Sequence, residues 1–254
     1  MVELDQEVFE LNVTGMHYQL LNDAIHQAIG EGWTHLRLKG VNGQRYIGCG
    51  LKGEELLIDI EGLPGNDLAT FMDGPTVRVY DNAQDGLCNT MNAGKVSIWG
   101  DAGDVLAYGM RGGKLFVRGD VGYRTGIHMK EYEGKRPLVV AGGKAGDFLG
   151  EYMAGGLLIV LGLNSEPGES LTGGYLGTGM HGGLIFLRGE VEDWQLGAEP
   201  GITCDLVEDD WTLLREAVGE FASEFNLDAE ELLDARFSKL WPKSKRPYGN
   251  LYAH

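Results

Sequence analysis

Short apolar runs recur along the middle of the chain at a fixed interval. Val77–Tyr80, Val96–Trp99 and Leu115–Arg118 are each four residues long and start 19 residues apart. Methionine keeps the same step at Met72, Met91, Met110 and Met129. Around these residues the chain reads FMDGPTVRVYDNAQD, TMNAGKVSIWGDAGD and GMRGGKLFVRGDVGY. The unit is a methionine, a residue or two, a glycine, a β-rich run, and then Gly-Asp or a stand-in. It continues with Leu138–Ala141 before Gly142, with Leu158–Leu161 after Met153, and with Ile185–Arg188 after Met180. There the methionine step lengthens to 24 and then 27 residues, which predicts loops pushed out from one face of a regular stack.

Runs this short do not hold as isolated hairpins, but Val, Ile and Leu suit a pleated surface that is partly covered. The residues before each run predict the corners: Met91 with Gly94, Met110 with Gly112 and Gly113, Met153 with Gly155 and Gly156, and Met180 with Gly182 and Gly183. Glycine there supplies the positive φ that other residues resist. A 19-residue coil places each run over the last, so the runs pair in parallel about 4.8 Å apart with a methionine column inside. No coil buries its apolar face alone, so several must stack. An antiparallel sandwich would require equal intervals and matching flanks to coincide by chance. The fold class expected is all-β, a single-stranded β-helix (a β-solenoid with coils of ~19 residues).

Solenoid ends expose strand edges and call for caps. Tyr18–Ile29 has helical apolar spacing, with Gly30 and Gly32 as its stop. The short runs Leu36–Leu38, Tyr46–Ile47 and Leu56–Ile60 predict irregular first coils. Beyond Gly189, DDWTLLREAVGEFASEFN predicts a helix starting at Asp209 or Asp210. DAEELLDARFSKL predicts another, with Asp228 as cap and Glu231 three residues on. The resulting division is an N-terminal cap with a helix over 1–35, the β-helix over 36–193, and C-terminal helices with a docking tail over 194–254. That tail, WPKSKRPYGNLYAH, is basic and aromatic through Arg246, Tyr248 and Tyr252. It either docks on a partner or lies on its own domain.

Charge and composition narrow the chemistry. With 38 acidic against 21 basic residues the net charge is −17, which disfavours nucleic acid and anionic membranes as partners. The 41 glycines carry no Gly-X-Y period, so they serve turns. Cys49, Cys88 and Cys204 stand far apart and form no CxxC, which fits a reducing compartment. The acidic start and the absence of a run near ~18 apolar residues give a cytoplasmic expectation without a membrane span.

GCGLKG (Gly48–Gly53) and GTGMHG (Gly177–Gly182) match GxGxxG, but each runs into a strand pattern rather than a helix, so both predict turns and not a dinucleotide site. His128 and His181 sit near corresponding corners and could meet, but no zinc-type histidine spacing exists. No nucleophile elbow or P-loop occurs in the chain. The catalytic, cofactor-binding and metal sets are therefore read as empty. The least regular corner, GYRTGIHMKEYEGKRP, gathers charge and aromatics. Its Arg124, His128 and Tyr132 are candidate partner contacts.

The segments GDAGDVLAYGMRGGKLFVRGDVG, GEYMAGGLLIVLG and GTGMHGGLIFLRG resemble the GXGXG domain, the C-terminal β-helix of the glutamate synthase large subunit, in its stand-alone form. The resemblance covers roughly residues 40–190. It implies a right-handed β-helix without catalytic residues, acting as a structural subunit. It would bridge an amidotransferase-like subunit, which releases ammonia from glutamine, and an FMN-binding, iron–sulfur synthase-like subunit. FMN and the cluster are expected on those partners and no cofactor on this chain. The same β-helix type occurs as a component of formylmethanofuran dehydrogenase, the alternative assembly. A homo-oligomeric binding module and a lone polysaccharide lyase are the readings from other classes.

Overall fold

The computed structural model describes residues 8–166, 168–198 and 200–244, so Arg246, Tyr248 and Tyr252 lie outside the described residues. Strands β1 (Phe9–Asn12), β2 (His35–Asn42), β3 (Leu57–Leu63), β4 (Asp73–Val79), β5 (Ala93–Ile98), β6 (Lys114–Val117), β7 (Leu138–Ala141), β8 (Ala154–Val160) and β9 (Gly182–Arg188) pair in parallel and in chain order. The register follows the repeat. Val77 lies beside Val96, Val96 beside Leu115, Leu115 beside Val139, Val139 beside Leu158, and Leu158 beside Ile185. These side chains form one buried column, and Met72, Met91, Met110, Met129, Met153 and Met180 form another. The chain is thus an all-β solenoid whose coils stack as the spacing predicts. No helix among the described residues is long and apolar enough to cross a membrane.

A second wall of each coil is narrow. Single bridges link Ala83 to Ala102, Ala102 to Val121, Val121 to Ala145, and Ala145 to Thr172. On both sides of this wall a carboxylate or amide of one coil accepts a backbone N–H from the next. Asn82 accepts from Asp101 N and Asp101 from Asp120 N, each at 2.8 Å. Asp85 accepts from Asp104 N at 2.9 Å and Asp104 from Tyr123 N at 2.8 Å. The recurrent Gly-Asp pair follows from this. A Cβ at Gly119 would lie 2.0 Å from Asp101 Oδ1, and a Cβ at Gly122 2.0 Å from Asp104 Oδ1. The glycine vacates the space that the preceding coil's carboxylate fills.

The outer face of the strands changes character along the stack. Arg37, Asp59, Arg78 and Ser97 give way to Phe116, Val140, Ile159 and Phe186. Helix α2 (Glu208–Phe225) covers the apolar part with Leu214, Val218, Phe221 and Phe225, and Phe116 meets Phe221 edge-on at 5.8 Å. Each such side chain withdrawn from water contributes roughly 1.5–3 kcal/mol. Glu224 pairs with Arg78 at 3.3 Å and with Lys95, and Lys114 reaches Glu220 at 2.6 Å. These pairs anchor the helix where the outer face turns polar.

The ends are closed differently. Helix α1 (Tyr18–Gly30) turns Leu21, Ile25 and Ala28 onto the first coils. It includes Gly30 and stops at Glu31–Gly32, where Gly32 takes φ +97°. Strand β1 precedes it and extends the sheet beyond the first predicted run. At the far end, β11 (Phe237–Pro242) lies antiparallel on β9, and β10 (Pro200–Thr203) lies antiparallel on β11.

Two expectations are corrected here. The helix drawn from DAEELLDARFSKL ends at Leu233, as α3 (Ala229–Leu233), and FSKL belongs to β11. The open edge of β9 offers unpaired backbone groups, and these outweigh local helical spacing. Tyr46–Ile47 is not a strand; Tyr46 takes φ +63° and begins a turn. Asp228 does cap α3, accepting from Glu230 N at 2.8 Å and Glu231 N at 3.3 Å. α2 begins at Glu208, one residue before the expected start, and Asp210 reaches back to accept from Val207 N at 3.1 Å.

The Gly-Asp contact can be tested by a double-mutant cycle in urea. Gly122→Ala is expected to cost about 1–3 kcal/mol through overpacking, and Asp104→Ala about 1 kcal/mol through its lost hydrogen bond. The double variant should cost at least about 0.5 kcal/mol less than the two together, because removing the carboxylate relieves the shortest contact of the methyl group and leaves only those with the Gly103 backbone at 2.8 and 2.9 Å. Strict additivity would contradict the steric account.

Candidate functional site: the left-handed arms

The third wall of each coil is built from residues in a conformation that L-amino acids avoid. Three alternate positions take positive φ in coil after coil: Asp67, Ala69 and Phe71; Gly86, Cys88 and Thr90; Val105, Ala107 and Gly109; Arg124, Gly126 and His128; Phe148, Gly150 and Tyr152; Tyr175, Gly177 and Gly179. Tyr46, Gly48 and Gly50 form the first such arm. The motif glycines at Gly48 and Gly50 and at Gly177 and Gly179 are therefore second and third arm positions, and neither GxGxxG segment opens a helix.

The reason lies in where the backbone donors point. The first and third arm residues donate forward along the stack: Val105 N to Tyr123 O at 2.8 Å, Gly109 N to Ile127 O at 2.9 Å, and His128 N to Glu151 O at 3.0 Å. The second donates backward: Ala107 N to Leu87 O and Gly126 N to Leu106 O, each at 2.8 Å. A left-handed residue costs an L-amino acid roughly 1–2 kcal/mol, and each hydrogen bond returns about 0.5–1.5 kcal/mol. The alternation satisfies donors that would otherwise be buried without partners.

Size at each arm position follows from direction. The second position points into the core and holds nothing larger than cysteine: Gly48, Ala69, Cys88, Ala107, Gly126, Gly150 and Gly177, all buried. A Cβ at Gly126 would lie 2.5 Å from Leu158 Cδ1, and at Gly150 2.5 Å from Ile185 Cδ1. Cys88 is thus a core spacer, and burial pushes its thiol pKa well above the ordinary range. Cys49 is raised too, by burial and then by the Asp67 carboxylate.

The first and third positions point outward and stack. His128 lies parallel to Tyr152 at 5.3 Å and edge-on to Tyr108 at 5.7 Å. Phe148 and Tyr175 are parallel at 4.6 Å, and the Arg124 guanidinium sits 4.7 Å over Phe148 while its Nε donates to Glu151 at 2.8 Å. Tyr132 stands on the neighbouring loop under Arg111, 5.5 Å away. The structure therefore places Arg124 and His128 on one face with Tyr132 beside it. His128 and His181 belong to different columns, because one precedes its methionine and the other follows it; His181 Nδ1 faces the Gly179 carbonyl at 3.2 Å. Among the described residues no three His, Cys, Asp or Glu side chains converge as metal ligands. The glycine pairs divide their work. Gly94, Gly113, Gly156 and Gly183 take positive φ, while Gly112, Gly155 and Gly182 admit backbone or side-chain atoms of a neighbouring coil.

Sequence reasoning missed the arm aromatics Tyr108, Phe148, Tyr152 and Tyr175. Phe148 and Tyr175 stand five residues before their methionines and Tyr152 one before, and the signal was hidden because bulky residues at positive φ contradict propensity; Tyr108, at ordinary φ, lies between two arm positions.

The family described as GXGXG motif matches residues 34–245. An uncharacterized protein of Methanocaldococcus jannaschii is 48% identical over 249 residues, which is 95% of each chain.

Val105 is β-branched and held at φ +59°. Val105→Asn should raise stability by up to about 1 kcal/mol, since asparagine tolerates this conformation. Gly126→Ala should lower it by about 2–4 kcal/mol; denaturant melts decide both. A pH titration of stability tests Cys88. Below the ordinary thiol value of about 8.5 both states keep the proton and nothing is lost. Above it the unfolded chain releases its proton and the folded chain does not, so stability falls with rising pH. Cys88→Ala, which matches Ala69 and Ala107, should flatten that decline.

Proposed function

The chain belongs to the GXGXG motif family, the domain found in the large subunit of glutamate synthase, and from that membership we propose that it is a non-catalytic structural subunit of a glutamate-synthase-like complex. The observation that carries this reading is the family match over 34–245, together with the way polar side chains are spent. Asp101, Asp104, Asp120 and Asp147 accept backbone N–H groups between coils. His35 is tied to Asp59 at 2.8 Å, and His128 is stacked on Tyr152 and edge-on to Tyr108. These groups hold the solenoid and its surface in shape.

In this reading the glutamine-hydrolysing chain and the FMN- and iron–sulfur-binding chain are separate proteins, and this chain fixes their relative position. FMN and the cluster reside on the partner, where 2-iminoglutarate is reduced to glutamate. The long rigid column suits that role, because a scaffold between two active sites has to keep their distance constant.

Purification of the tagged chain from its native cells is the test. Recovery of an amidotransferase-like chain and a flavin-containing chain, with glutamine-dependent glutamate formation by the assembly and none by the isolated chain, is the expected result. Recovery of a molybdenum or tungsten enzyme in their place would overturn it in favour of a formylmethanofuran dehydrogenase-type assembly.

A further inference from the structure

We infer that the arm face is the surface through which the chain docks, and that its partner there is an acidic surface of a different protein chain. The inference rests on the scaffold reading and adds which face is used and what recognises it.

Two independent features converge on this face. The first is exposed aromatic surface. Tyr46, Phe71, Tyr108 and Tyr175 stand on the arms, with Tyr123 and Tyr132 flanking them. These are six of the ten large apolar side chains left exposed among the described residues. They do not form a loose apolar patch, because His128, Tyr152 and Tyr108 lock one another in a stack, as do Phe148 and Tyr175. Rings held this way lose little freedom on binding, which is the property of interface anchors.

The second feature is charge. The chain is strongly acidic, and most of its cations are tied to its own carboxylates. Arg111 and Lys130 are not. They follow Met110 and Met129 in consecutive coils, next to the aromatic stack, and no described carboxylate pairs with either. Arg111 rests only on the Tyr132 ring, and its Nε is buried without an acceptor among the described residues. At the start of the face, Lys52 likewise forms no salt bridge with a described carboxylate, while Arg45, over the Tyr18 ring, acts electrostatically on the Asp67 carboxylate without a direct salt bridge. Cations without a carboxylate partner beside preorganised aromatics complement carboxylates of a partner; Arg118 and Lys243, away from this face, also form no salt bridge with a described carboxylate.

The experiment is zero-length carbodiimide cross-linking of the assembly purified from native cells through a tag on this chain. Lys130 and Lys52 are expected to join Asp or Glu residues of another protein. The double variant Arg111→Gln with Lys130→Glu should weaken the assembly about tenfold and flatten its salt dependence, and Lys130→Glu alone, at an exposed position, should weaken it in the same direction with the thermal midpoint of the isolated chain unchanged. Arg118→Glu, on the outer strand face, serves as the charge control and should leave the assembly intact. Cross-links confined to other faces, cross-links only between copies of this chain, or no partner at all would each overturn the inference. If Lys130 joins a chain that is neither amidotransferase-like nor flavin-binding, the docking face stands and the glutamate-synthase-like reading falls.

Discussion

Everything in this molecule depends on a backbone that donates hydrogen bonds alternately up and down its axis. In a parallel sheet the alternation is automatic, and the strand centres, such as Val77–Val79, Val96–Ile98 and Leu115–Val117, obtain it at ordinary φ. Along the arms it is obtained only by reversing φ at every second residue, and the chain does this with alanine, cysteine, histidine, phenylalanine and even valine. Strain is therefore distributed through the whole wall. It persists because each reversed residue is fixed by neighbours on both sides, so no single one can relax without breaking the ladder.

That constraint explains which parts of the fold the sequence displayed. The strands and methionines were visible because their side chains point into one core and obey one period, so Val96, Leu115 and Met110 carry the same signal in every coil. The Gly-Asp pair was visible because it recurs with the same period, although its cause became clear only once Asp101 was seen filling the space beside Gly119. The arms were only partly legible. Glycine at Gly48, Gly126 and Gly177 announces positive φ, but Ala69 and Cys88 do the same work without announcing it. The far cap was misread because the pull on FSKL comes from an edge created more than forty residues earlier, at Arg188, and local spacing does not contain that information.

The candidate surface was legible in outline and not in content. Charge and aromatics around Arg124, His128 and Tyr132 stood out as an irregular corner. That these residues belong to a continuous face with Tyr108, Tyr152 and Tyr175 follows from stacking, which joins positions separated by 24 or 27 residues as closely as those separated by 19. The insertions that interrupt the period leave the face unbroken, because the extra residues leave the coil after the arm or after the strand. The outer strand face has a different fate: α2 occupies its apolar half, whereas Phe71, Tyr108 and Tyr175 on the arms stay exposed among the described residues.

The ends of the column are closed by different elements, a helix at one and an antiparallel strand pair at the other, while the coils between them are interchangeable in hydrogen bonding. A whole coil could therefore be gained or lost without disturbing either closure. Each such event would change the length of the column by one strand spacing, about 4.8 Å, and carry the outward-facing residues along with it. The length of such a column is then inherited in discrete steps, and intermediate lengths are inaccessible to it.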